Sequence, residues 1–155
     1  MTITIRTFKA SDHAFVLSLV PRFTEFELPP WRERQAIDRT NQHSLEEALA
    51  APPDQSSLLI AEDTTGTALG FLRLQTQTDS FTGESFAYIS EIAVAAHGEG
   101  QGVGQALMQA AETWTRTRGY RLLALFVFAQ NTRARQFYKT LGFTNEVVKC
   151  VKEIR

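Results

Sequence analysis

The apolar positions of this chain follow two rhythms, one alternating and one helical, which hand over at turn residues. Ile3, Ile5 and Phe8 open with strand-like spacing, and Ser11 and Asp12 then offer helix N-cap signals. Phe15, Leu19 and Phe23 fall along one helical face, which Pro21 disturbs and Pro29-Pro30 ends. A second helical region is expected over residues 31–50, with residues 41–44 as the place where it could divide into two pieces. Pro52-Pro53-Asp54 is a turn, and residues 57–61 form a short apolar strand. Asp63-Thr64-Thr65-Gly66 reads as a hairpin turn, with residues 69–76 as the returning strand. A loop over residues 79–84 then leads to another strand over residues 86–95.

The second half is more sharply patterned. Val103, Leu107, Ala110, Ala111 and Trp114 recur at helical spacing, and Gly119 stands where a left-handed C-cap is wanted. Residues 122–128 are an unbroken apolar run, which suits a central strand covered on both faces. Asn131 can cap a last helix in which Ala134, Phe137, Tyr138 and Leu141 share a face, and Gly142 stops it. Residues 147–154 are β-rich and are expected to close the chain as a strand. The order is strand, two helices, three strands, helix, strand, helix, strand, which predicts a mixed α/β arrangement of helices layered on a sheet. At 155 residues, without repeat or linker, residues 1–155 are expected to form a single domain. A domain of roughly this size buries about two-thirds of its unfolded surface, enough for a real core.

Composition narrows the function classes. A formal net charge of -1 gives no general attraction to nucleic acid or to an anionic membrane. No apolar run approaches the roughly 18–20 residues of a membrane span, and the N-terminal residues alternate where a signal peptide would be continuously apolar. The single cysteine, Cys150, excludes an internal disulfide framework and fits a reducing cytoplasm. His13, His43 and His97 lack metal-site spacing, so no metal is expected.

The chemistry concentrates in His97-Gly98-Glu99-Gly100-Gln101-Gly102-Val103-Gly104-Gln105, between a predicted strand and a predicted helix. The first N–H groups of a helix have no internal partners and sit at the positive end of its dipole. Glycines let phosphate oxygens approach such backbone closely, so an anion site is the functional reading, beside the plainer one of a flexible connector. A P-loop would need Gly-Lys-Ser/Thr, but Gln105 and Ala106 follow Gly104. A dinucleotide fingerprint would need G-x-G-x-x-G and an acid about 20 residues on, but the spacing is G-x-G-x-G and no acid lies between Glu112 and Glu146.

The sequence resembles the GCN5-related N-acetyltransferase (GNAT) family, most strongly over residues 88–143. Ile92-Ala93-Val94 matches the end of the family's strand, and residues 99–104 match its Arg/Gln-x-x-Gly-x-Gly/Ala loop, with Glu99 replacing the leading Arg or Gln. Asn131-x-x-Ala134-x-x-Phe137-Tyr138-x-x-x-Gly142-Phe143 matches a second element. The resemblance implies a mostly antiparallel mixed sheet with helices on both faces and splayed strands forming an acetyl-CoA cleft. It also implies direct acetyl transfer to a primary amine of a small molecule or peptide. The pantetheine arm would pair with backbone at Ile92, Ala93 and Val94 as an added strand would. The pyrophosphate would meet the N–H groups of Gln101, Gly102, Val103, Gly104 and Gln105, and Asn131 joins the cofactor-binding set.

Within that frame Glu91, in an apolar strand beside the proposed cleft, is a candidate general base; a structural acid at a strand edge or bulge is the alternative. Tyr138 is the candidate donor to the departing CoA thiolate, because a phenol stays protonated at neutral pH. Arg133 and Arg135, with Arg116, Arg118 and Arg121, could meet the 3'-phosphate of CoA or form a solvated face. Residues 22–31 mix acids with Phe23, Phe26 and Trp31, which suits a cationic amine with an apolar body or simply anchors the loop. A non-catalytic acetyl-CoA-binding module would keep the glycine loop without needing Glu91 and Tyr138. A homodimer stays open.

Overall fold

The computed structural model describes residues 2–155. Five strands, β1 (Thr4–Thr7), β2 (Ser57–Glu62), β3 (Ala68–Thr78), β4 (Ser85–Val94) and β5 (Leu123–Leu125), form one sheet in the order β1-β2-β3-β4-β5. The first four pair antiparallel, β2, β3 and β4 as hairpin-linked neighbours and β1 with β2 across the connection that holds the first two helices, and β5 pairs parallel to β4 because a helical crossover separates them. The helices are α1 (His13–Ser18), α2 (Arg34–Ala50), α3 (Val103–Thr117) and α4 (Thr132–Thr140), and a 3-10 segment at Val20–Thr24 follows α1.

Alternation along the strands sends side chains to two cores, one on each face of the sheet. Leu72, Leu74 and Ile89 pack with Val103, Leu107, Met108 and Ala111 of α3, and Phe137, Tyr138 and Leu141 of the α4 region close over them. Ile60, Phe71 and Ala93 face the other way, against Val16 of α1, Leu19, Val20 and Leu45 of α2. The arrangement is the expected mixed, mostly antiparallel sheet with helices on both faces.

Three expectations need correction. The helix over residues 34–50 is unbroken: residues 41–44 hold no Gly or Pro to interrupt its hydrogen bonding, and Leu45 just beyond them is fully buried. Of the apolar run 122–128 only Leu123–Leu125 is strand, and it lies at the sheet edge rather than the centre, with Phe126 85% exposed. The expected closing strand over residues 147–154 does not pair; residues 144–155 form neither helix nor strand and are exposed. The last two differences have one cause, since β5 becomes an edge when no further strand returns to it.

Candidate functional site

The sheet stops being continuous at one residue. Pairing between β3 and β4 joins Arg73 to Glu91 and Leu74 to Ile89, so Ser90 has no partner and bulges. The last β4–β5 pair is Ile89 with Leu125, immediately before that bulge. Beyond it, residues 90–94 of β4 continue with nothing paired on the β5 side. Their backbone groups on that side form a free edge inside the fold, open to an added extended chain. Ile92, Ala93 and Val94 all lie on this stretch.

The bulge is fixed by its neighbours. Arg73 of β3, itself buried, donates from Nε to Glu91 Oε2 at 2.6 Å and from Nη2 to Oε1 at 2.9 Å. Gln75 Nε2 donates to Ser90 Oγ at 2.5 Å. Both Glu91 oxygens are thus engaged by a fork-shaped donor, an arrangement that orients the carboxylate firmly. Arg73 was not singled out from the sequence; the available signal was a cation inside the otherwise apolar stretch Phe71-Leu72-Arg73-Leu74, facing an acid in the next strand.

At its end β4 delivers the glycine segment. Gly102 is the N-cap of α3 with φ 78°, in the left-handed region that favours glycine. The first helix bond comes from Ala106 N–H to the Gly102 carbonyl at 3.0 Å. Among the described residues, the N–H groups of Gln101, Gly102, Val103, Gly104 and Gln105 before it find no acceptor. A Cβ built on Gly102 would touch nothing within 4 Å, so the approach to these groups is open. On Gly104 a Cβ would lie 3.2 Å from Phe137 Cζ, so that position keeps α3 and α4 close. Asn131 serves as N-cap of α4, its Oδ1 accepting from Ala134 N–H at 3.2 Å.

Glu99 does not leave an uncompensated negative charge beside these amides. Arg22, in the 3-10 segment after α1, hydrogen-bonds its carboxylate, and Arg133 Nη1 lies 3.9 Å from it. Arg22, also missed from the sequence, ties the segment that follows α1 to the glycine loop across 77 positions of sequence. The same segment holds Phe23 edge-on to Phe71 at 6.2 Å and Phe26 against Phe128, just past β5, at 5.5 Å. Arg34 fastens its backbone by donating to the carbonyls of Thr24 and Phe26. Phe23 and Phe26 therefore anchor the loop, while Trp31 stays 41% exposed.

Tyr138 sits between Phe137 and Phe143, with ring centroids at 5.7 and 5.8 Å, and packs on the core under α3. Burial raises its phenol above the ordinary value near 10. Tyr88, paired with Ala124 across β4 and β5, is raised mainly by burial and further by the Glu91 charge. Arg116 and Arg121 meet acids, Glu112 at 3.9 Å and Glu84 at 2.9 Å, and Arg118 stacks over Trp114 at 4.2 Å. Arg135 donates to the Ala129 carbonyl.

These features define an α/β fold with a helix start carrying unpartnered N–H groups beside an internal open strand edge. Residues 18–143 match the Acetyltransferase (GNAT) family, and the chain belongs to that family. It is 44% identical over 64 residues to an uncharacterized N-acetyltransferase of Methanocaldococcus jannaschii, covering 41% of this chain and 28% of that protein's length. In fold it is similar to a putative acetyl transferase from Pyrococcus furiosus, with TM-score 0.77, 22% identity and coverage of 99% and 100% of the two chains. It also matches AAC(6')-Iy in complex with the bisubstrate analog CoA-S-monomethyl-acetylneamine, with TM-score 0.71, 22% identity and coverage of 100% and 99%.

Proposed function

We propose that residues 1–155 form a single domain that transfers an acetyl group from acetyl-CoA directly to a primary amine of a small molecule or peptide. The observation that carries this reading is the free β4 edge at residues 90–94 leading straight into five unpartnered N–H groups at the start of α3. An amide-bearing arm ending in a pyrophosphate fits that sequence of sites: the edge would take the arm, and the N–H groups the phosphates. Bound acetyl-CoA supplies the acetyl group as an activated thioester. The protein's own part is to hold, orient and exchange protons. Tyr138 donates a hydrogen bond from its protonated hydroxyl to the leaving sulfur. Glu91, gripped by Arg73, buttresses the bulge that opens the sheet rather than taking the amine's proton itself. Asn131 holds α4, and with it Tyr138, at the correct angle.

The setting proposed is a reducing cytoplasm, in keeping with the free, exposed Cys150. Among the described residues no helix is long and apolar enough to cross a membrane. The engagement of Glu91 favours one second reading, a module that binds acetyl-CoA without turnover. Release of free CoA thiol in a panel of small amines and peptide N-termini separates the two. Calorimetric acetyl-CoA binding with amine-dependent thiol release supports transfer, and binding without release supports the module. No acetyl-CoA binding at all defeats both.

A further inference from the structure

The glycine loop has no cation of its own. No Lys or Arg occurs between Arg73 and Arg116. Arg73 is committed to Glu91 by two hydrogen bonds, and Arg116 stands in the last turn of α3 beside Glu112. Glu99 is the one carboxylate of residues 97–105. A pyrophosphate held by the backbone N–H groups alone would lie beside a like charge, which weakens binding.

Two guanidinium groups converge on that carboxylate from other elements. Arg22 donates from Nη2 to Glu99 Oε1, and Arg133 Nη1 lies 3.9 Å from the same oxygen. Arg22 is firmly presented. Val20 and Thr24 on either side of it are buried, and Thr24 Oγ1 donates to Asp38 Oδ1 at 2.8 Å. Glu25 Oε2 stands 3.5 Å from the other terminal nitrogen of Arg22. The Arg22 side chain is only 22% exposed, so most of it is packed and its tip reaches the loop. A guanidinium carries several N–H groups in a fixed fork, and Arg22 commits one of them, to Glu99. The others are left for phosphate oxygens, which the fork suits well. Arg133 stands in the first turn of α4, where the helix dipole disfavours a cation and no acid shares the turn. An anion between α3 and these two side chains relieves that repulsion as well.

Building on the acetyl-CoA reading above, we propose that Arg22, brought to Glu99 by the segment after α1, is a direct ligand of the acetyl-CoA pyrophosphate and replaces the cation that the glycine loop lacks. Glu99 is then the holder that keeps the guanidinium beside the free N–H groups until phosphate arrives. Three ligands test this on the full chain: acetyl-CoA and its 3'-dephospho form by calorimetry, and S-acetylpantetheine, which has no pyrophosphate, by NMR titration. Arg22→Gln should weaken the first two alike, about tenfold, and leave the third unchanged. Glu99→Gln should act in the opposite direction on the first two at low salt, because it frees the ligand. Were Arg22 only a tie that shapes the loop, the two substitutions would break the same link and weaken binding together; that result overturns the proposal. Acetyl-CoA affinity unmoved by Arg22→Gln overturns it too, as does an equal loss for S-acetylpantetheine. A loss confined to acetyl-CoA, with the 3'-dephospho form spared, would place Arg22 on the 3'-phosphate and overturn the pyrophosphate assignment. A parent chain that binds none of the three defeats the acetyl-CoA reading itself, whereas normal binding by Arg22→Gln defeats only this assignment. Should Arg22→Gln fail to fold, Arg22→Lys decides: it keeps the charge but loses the fork, and should weaken the same two ligands about threefold.

Discussion

Burial determines what Tyr138 can do with its proton. A phenol raised above its usual value remains protonated well past neutral pH, so it offers a hydrogen bond whenever a thiolate develops nearby. Tyr138→Phe keeps the ring stack with Phe137 and Phe143 and removes only that donor. Turnover should fall about 10²-fold, the lower end of general-acid contributions, with acetyl-CoA affinity and thermal stability little changed. Rapid-quench kinetics that isolate the chemical step would check this. Glu91 poses the opposite case. Its carboxylate and the Arg73 guanidinium are both nearly inaccessible, so Glu91→Gln leaves a buried cation underpaired and should cost about 3 kcal/mol in chemical denaturation. The acidic limb of the rate profile, measured well below the melting temperature, should keep its midpoint; a displaced limb would restore Glu91 as the base. Asp12 supplies a pH dependence away from the site. Hydrogen bonds from Arg6 hold its carboxyl below the usual range, so the stability it gives is present above the unfolded value near 3.9 and fades as pH falls through the lower folded value. Asp12→Asn should cost about 2 kcal/mol at pH 7, and the gap from the parent should shrink below about pH 3.

At the scale of elements, the start of α3 combines two requirements in adjacent turns. Gly102 needs a left-handed backbone with open space outside it, whereas Gly104 needs room for Phe137. Gly102→Val places a branched side chain in the left-handed region, at a cost of roughly 1–2 kcal/mol, and fills the approach to the free N–H groups. Calorimetry should show acetyl-CoA affinity lowered at least about tenfold while the fold survives; unchanged affinity would move the phosphate site elsewhere. The same elements show what a sequence makes legible. Gly98 to Gly104 and the capping Asn131 could be read because turn and cap chemistry is local. The helical faces of α3 and α4 could be read because periodicity marks a buried side. The apolar run at residues 122–128 misled, because periodicity cannot tell a covered strand from one whose neighbour is missing. The Ser90 bulge could not be read either. It arises from register between β3 and β4, and the Arg73–Glu91 pair that holds it joins residues 18 positions apart. Asp12 does stand at the N-cap position of α1, as its residue type suggests, but its side chain accepts from the Lys9 N–H and from Arg6 rather than from the helix.

Across the whole molecule, the sheet separates two cores, and the glycine loop opens the helix that covers one of them while α1 covers the other. Arg22 and Glu99 bridge the two sides: the segment after α1 pairs with the loop that leads into α3. That bridge accounts for an acid beside the proposed phosphate site. Glu99 restrains Arg22 and, more loosely, Arg133, at the cost of placing a negative charge near the free N–H groups. The pair is partly exposed, so its worth to folding is small, within about 1 kcal/mol. Its effect on an anionic ligand is of similar size but opposite sign, since removing the charge both ends a repulsion and frees two guanidinium groups. Glu99→Gln should therefore leave the melting temperature almost unchanged and tighten acetyl-CoA binding about three- to tenfold at low salt. The advantage should diminish as ionic strength rises and the Debye length shrinks to a few ångströms. Weaker binding at every salt concentration would show instead that the Arg22 link shapes the loop, and that Glu99 is there to hold the amides in place.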